Sequence, residues 1–174
     1  DLSIEPFEKA IVSLEVALDR HAQDSSDDLV RDACIQRFEF TYELAHKMLK
    51  RFLEATSANP DEFDNMTFQD LIRSGSERGL LRSDWSLWKE YRRARGTTSH
   101  TYDEAKAREV FAIVPDFLSE ARFLRDRLRE GLSWLFPGSR WVLNARAVAR
   151  VRAGDETEAR PRERARDDGE APRR

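Results

Sequence analysis

"DDLVRDACIQRFEFTYELAHKMLKRFLEA", residues 27 to 55, decides the fold. Val30, Cys34, Phe38, Leu44, Met48 and Phe52 recur at helical spacings, and Ile35, Tyr42, Ala45 and Leu49 widen the stripe. A helical stripe lies on one side only when its apolar residues follow the 3.6-residue period. One this broad predicts a long helix buried on more than one side. Working outward, Phe7, Ile11, Leu14 and Leu18 predict a first helix over 3–22, with Ser3 as its cap and Pro6 in its first turn, where a missing N–H costs little.

Downstream, "TSANPDEFDN" breaks the pattern, because the residue before a proline is pushed out of the helical region. Thr67 with Asp70 predicts a capped short helix ending near Gly79. Ser83 is the expected cap of the next helix, whose Trp85, Trp88 and Tyr91 form an aromatic face better suited to packing than to stacking on a base. Asp103 can cap a last long helix to about Glu130, with a kink or break expected at Pro115. No segment alternates with the two-residue period of a strand. The expectation is an all-α protein, an up-and-down bundle of four to five helices over residues 1–130. Residues 131–174, rich in arginine and acid and poor in large apolar groups, are expected to be weakly structured to disordered.

Composition narrows the chemistry. Charged residues make up 36% of the chain, yet the net charge is only -3, so overall charge argues neither for nor against a nucleic-acid partner. Cys34 is the only cysteine, so no disulfide can form within the chain and a reducing compartment is expected. No apolar run approaches the roughly 20 residues that span a bilayer. The acidic start does not resemble a secretion signal, so the expected location is cytoplasmic, without a membrane. His21, His46 and His100 fall in different elements, and neither His-x-x-x-His nor Cys-x-x-Cys occurs, so no metal or cofactor is expected. A Gly-rich phosphate loop and a nucleophile elbow are also missing from the sequence.

One stretch stands apart: "RARGTTSHTYDE", residues 93–104. Arg95 and His100 would diverge by about 140° on an unbroken helix. Gly96, Thr97, Thr98 and Ser99 are indifferent or poor helix formers, so a break at Gly96 is expected, followed by an extended segment with His100 and Tyr102 on one side. Arginine offers a permanently charged planar fork to a phosphate. Histidine, with an ordinary pKa of about 6.5, can take or give a proton near neutrality. The pair could cleave RNA without metal, the base activating the ribose 2′-hydroxyl while arginine meets the charge growing on phosphate. A second proton-transfer group would come from a two-fold related copy. The plainer reading is that the arginines complement a helix C-terminus and His100 bonds within a turn.

"DACIQRFEFTYELAHKMLKRFLE" followed by "WKEYRRARGTTSHTYDEAKAREVF" resembles the nucleotidyltransferase substrate-binding protein family of the HEPN superfamily, over about residues 3–130. The resemblance implies a homodimer and a partner, a cognate minimal nucleotidyltransferase, as in toxin–antitoxin pairs. It implies that Arg95 and His100 form a catalytic RNase site across the dimer cleft, and that Tyr102 accepts AMP from the transferase, which silences the enzyme. Glu39, Tyr42 and Asp103 are further candidates to line that cleft, with core or ion-pair roles as the alternative for Glu39 and Tyr42. Gly96 stands where HEPN nucleases often carry Asn or Asp. The same resemblance allows a second reading: a non-catalytic subunit that presents a nucleotide or other substrate to the transferase.

Overall fold

The computed structural model describes residues 3–135 of the 174-residue chain. Five α-helices follow one another: α1 Glu5–Gln23, α2 Asp28–Thr56, α3 Phe68–Glu77, α4 Trp85–Thr97 and α5 Glu104–Leu135. Short 3-10 turns sit at Pro60–Phe63 and Thr98–His100, and no strand occurs among the described residues.

Cross-helix contacts give the direction of each rod. Arg37 donates to the Ser13 carbonyl (2.6 Å) and Thr41 to that of Ala10 (3.3 Å), so α1 and α2 run antiparallel. Tyr91 donates to Asp116 (2.7 Å) while Arg93 pairs with Glu109 (2.9 Å), so α4 and α5 are antiparallel as well. Arg31 meets Glu104 and Phe38 meets Phe117, which sets α2 and α5 side by side in the same sense. The four long helices therefore alternate in direction along the chain, and α3 is a short insertion between α2 and α4. The all-α, up-and-down expectation holds.

The broad stripe of α2 is buried as its width predicted: Cys34, Phe38, Ala45 and Leu49 are inaccessible to solvent. Edge-to-face rings knit α2, α4 and α5 at the centre. Phe38 and Tyr91 each lie 5.1 Å from Phe117, and Trp88 lies 5.6 Å from Tyr91. Such pairs add about 0.5–1.5 kcal/mol each beyond the area they bury. Trp85 packs on Phe68 at 5.8 Å, so both α4 tryptophans serve the core.

Several boundaries differ from expectation. Ser3 does not cap α1: Ile4 stands at the N-cap with no side-chain bond, and its complete burial anchors the end instead. Asp84, not Ser83, caps α4 by accepting from the Ser86 N–H (2.9 Å). The Ser83 carbonyl is taken by the Ser76 hydroxyl at 3.2 Å. Gly79, at φ 68°, closes α3: its N–H reaches the Ser76 carbonyl (3.0 Å) and that of Leu80 reaches Gly75 (2.9 Å), the paired bonds of a left-handed helix stop. Pro115 does not break α5. It lies on the exposed side, where water can serve the carbonyl that loses its donor.

Nor does the chain change character at Gly131. α5 runs on to Leu135 and Leu132 is buried. Leu132 extends the row of Ala121, Leu124 and Leu128, and glycine fits where α5 crosses close to the Phe52 ring. The rest of the expectation for the tail concerns residues 136–174, which lie outside the described residues.

Candidate functional site

The α4–α5 corner is built by hydroxyl groups. Where α4 runs out of turns, its carbonyls need donors. Thr97 donates to the Arg93 carbonyl (3.1 Å), Thr98 to that of Arg95 (2.9 Å) and Thr101 to that of Thr98 (3.0 Å). These bonds let the chain tighten from α to 3-10 winding without leaving polar groups bare. α4 thus ends between Arg95 and His100, as expected, but at Thr97 and without a sharp bend. Gly96 lies inside α4, and the segment beyond it is coiled rather than extended. Asp103 then starts α5, accepting from the N–H of Ala105 (2.9 Å) and Lys106 (3.3 Å), so it acts as a helix cap.

Continuous winding has a consequence for the candidate pair. About 100° per residue through Thr97, and about 120° beyond it, leaves Arg95 and His100 on largely opposite sides of the helix. No hydrogen bond or ion pair joins them among the described residues. Arg95 turns toward α2. Its Nε donates to Glu43 (2.7 Å) and its other arm pairs with Glu39 (3.1 Å), two carboxylates one turn apart on the same helix. His100 is exposed and lies beside Tyr102, their ring centroids 6.3 Å apart. Tyr102 is 86% exposed. Tyr42 packs in the aromatic core at 4% exposure, between Trp88, Phe68 and Phe117. Burial drives its hydroxyl well above the ordinary tyrosine range, and Arg92 acts against that rise. The site thus divides into a clamped arginine with Glu39 and Glu43, and an open His100–Tyr102 pair.

Two further polar arrangements frame it. Arg31, buried to 8% exposure, reaches from α2 to Glu104 at 2.7 Å and ties down the start of α5 just past Tyr102. The bond from Arg31 holds the Glu104 carboxyl below its ordinary range, with Arg108 adding to the effect. Glu120 is fully buried; one oxygen accepts from the Arg82 N–H (2.9 Å) and the Trp88 indole (3.3 Å), pinning the α3–α4 turn to α5. Sequence reading missed Glu43, Arg31 and Glu120. Only Glu120 carried a signal, a carboxylate set inside the apolar row from Phe117 to Ala121. Among the described residues no cluster of three or more His, Cys, Asp or Glu is placed to hold a metal ion. No described helix is long and apolar enough to cross a membrane.

Four long helices alternating in direction, with short α3 between the second and third, carry Arg95 at the end of α4 and His100 and Tyr102 just beyond it. Comparison with known proteins narrows the class. The chain belongs to the nucleotidyltransferase substrate-binding protein family, whose description "Nucleotidyltransferase substrate binding protein like" covers residues 2–130. It is 39% identical over 137 residues to the probable ribonuclease HepT of Haemophilus influenzae, spanning 74% of this chain and 93% of that protein. A solved H. influenzae structure, described as revealing the fold of a substrate binding domain of a nucleotidyltransferase, matches with TM-score 0.69 at 36% identity, covering 73% of this chain and 99% of that one. A crystal structure from Thermus thermophilus matches with TM-score 0.54 at 32% identity, covering 71% of this chain and 98% of that one.

Proposed function

We propose that this chain is a metal-independent endoribonuclease that works as a homodimer, paired with a minimal nucleotidyltransferase that silences it by transferring AMP to Tyr102. The observation that carries the reading is the exposed His100–Tyr102 pair one turn beyond a clamped Arg95. Since Arg95 and His100 of one copy turn apart, the working site combines residues of two copies in a two-fold cleft. There His100 of one copy takes the proton of a ribose 2′-hydroxyl. The 2′-oxygen attacks the adjacent phosphorus, and the bond to the 5′-oxygen breaks. That oxygen leaves with a proton from the second His100, and a 2′,3′-cyclic phosphate remains. Arg95 meets the charge gathering on the phosphate oxygens, exchanging a carboxylate partner for them. AMP on Tyr102 would set an anion beside that site and close it to RNA. The similarity to a probable ribonuclease supports this reading.

A second reading has its own support. Arg95 is already engaged by Glu39 and Glu43 and has no hydrogen bond or ion pair to His100, which suits a subunit that presents a substrate to the transferase without cleaving RNA. One experiment separates the two. Purified protein is incubated with single-stranded RNA in EDTA, and the products are analysed for cyclic phosphate ends. The nuclease reading expects cleavage that falls about 100-fold or more in His100→Ala and in Arg95→Ala. Intact RNA after incubation with folded wild-type dimer would reject it. For regulation, wild-type protein with the transferase and ATP should gain one AMP, and Tyr102→Phe should not. A mass gain that persists in Tyr102→Phe would move the acceptor elsewhere.

A further inference from the structure

Most described arginines and lysines have a carboxylate within ion-pair distance. Lys47, Arg51 and Arg92 are among the described cations that do not, and Arg92 adjoins the surface of the other two through His46. A shallow depression of about 520 Å³ runs along the outer face of α2 from Glu43 to Glu54. Lys47, Lys50, Arg51 and the imidazole of His46 line it. Its first residue, Glu43, is the one that grips Arg95 at 2.7 Å. The α4 wall continues the charge: the Arg92 guanidinium lies 4.7 Å above the Phe68 ring, and His46 meets the same ring edge-on at 5.0 Å.

The acids in this depression are already occupied. Glu43 is held by Arg95, and Glu54 by Lys50 at 3.3 Å. The surface therefore presents three uncompensated cations, on a chain whose net charge is -3. Uncompensated charge is costly to maintain and attracts counter-ions. From Glu43 to Glu54 is eleven residues of helix, about 17 Å. A stacked strand carries one phosphate per about 3.4 Å, so the run matches about five nucleotides. The Arg92–Phe68 stack presents a flat guanidinium at its edge, a surface that nucleobases also use.

We infer that Lys47, Arg51 and Arg92 form a phosphate track that leads single-stranded RNA along α2 and delivers it to Arg95. This rests on the RNA reading above but is tested separately from it, by binding rather than cleavage. Long-range steering by such a track acts on any sequence, because phosphates and not base edges are gripped. It also explains how a clamped arginine is reached. A strand already held one turn away brings its next phosphate to Arg95 at high local concentration, where it can displace Glu43.

The test uses the full chain with His100→Ala, so that RNA stays intact, and a fluorescent single-stranded 12-mer whose anisotropy is followed over a salt series. Each lost phosphate contact lowers the slope of log affinity against log salt by about 0.7 for single strands. Lys47→Gln with Arg51→Gln should lower it by about 1.4 and weaken binding about tenfold or more at low salt. Adding Arg92→Gln should lower it by about 0.7 again. Arg20→Gln with Lys106→Gln, two exposed cations elsewhere, should leave the slope in place. Circular dichroism confirms that each variant is folded. An unchanged slope in the double variant overturns the track, and if wild-type protein still cleaves RNA the proposed function survives that loss. The expected slope change in a protein that never cleaves RNA supports the track and rejects the nuclease. An unchanged slope with lost retention by the transferase assigns the face to the protein partner and overturns the RNA track.

Discussion

Gly96 follows Arg95 as the last residue but one of α4, just before the winding tightens to 3-10. A β-carbon built there meets nothing within 4 Å, so neither packing nor a left-handed φ requires glycine. In a helix interior glycine costs a few tenths of a kcal/mol more than asparagine, so Gly96→Asn should fold with unchanged or slightly raised thermal stability. If a polar side chain beside Arg95 would aid the proposed cleavage, the same variant should cleave RNA several-fold faster, read as initial rate against wild type. A faster rate with unchanged melting would separate catalysis from folding. Equal rates would show that the position is indifferent. At this scale the short string that holds Arg95, His100 and Tyr102 was legible. Glu43 was not, since its claim on Arg95 spans 52 residues and nothing in either local pattern announces it. The hydroxyls of Thr97, Thr98 and Thr101 were misjudged for a related reason. Read as weak helix formers they signal a break, yet by donating to carbonyls behind them they extend the coil.

Elements were easier to read than their ends. α2 and α5 follow from periodicity alone, because a stripe must be buried wherever it lies. Where α5 stops depends on a contact that periodicity does not contain. A β-carbon at Gly131 would press on Cζ and Cε2 at the end of the buried Phe52 side chain, so the ring would have to shift. Gly131→Ala should therefore destabilise the fold by about 1–3 kcal/mol, the usual cost of overpacking, despite alanine's better helix propensity. Combining it with Phe52→Leu should cost less than the two changes summed, which urea denaturation of the four proteins in the cycle would measure. Strict additivity would mean that the two helices do not press on each other there. Gly79 gives the opposite case. Its surroundings are open, but φ is 68°, so Gly79→Ala should cost about 1–2 kcal/mol through backbone strain alone.

For the whole molecule, alternation of the long helices was legible from short connections, whereas the parallel contact of α2 with α5 was not, since it depends on which stripes complement one another across the chain. That assembly places one titratable group where it reports on the entire fold. His46 on α2 is half-buried against Phe68 of α3, beneath Arg92 of α4, with Glu43 and Lys50 on its own helix. Burial is the main reason its pKa falls below 6.5; Glu43 opposes the shift, while Arg92 and Lys50 reinforce it. A depressed pKa in the folded state means that the unfolded chain binds the proton more readily. His46 therefore contributes stability above pH 6.5, and that contribution is lost as pH falls through the unfolded and then the folded pKa. Urea midpoints measured from about pH 7.5 down to about pH 5 should decline for wild-type protein, and more steeply than for His46→Gln, whose remaining decline belongs to other groups. A bound polyanion along α2 favours the charged imidazole and works against the depression, so saturating single-stranded RNA, added to both proteins in a His100→Ala background where it stays intact, should shrink the difference between them. Parallel curves for wild type and His46→Gln without RNA would show that His46 titrates alike in both states and is not under the pressure of burial described here.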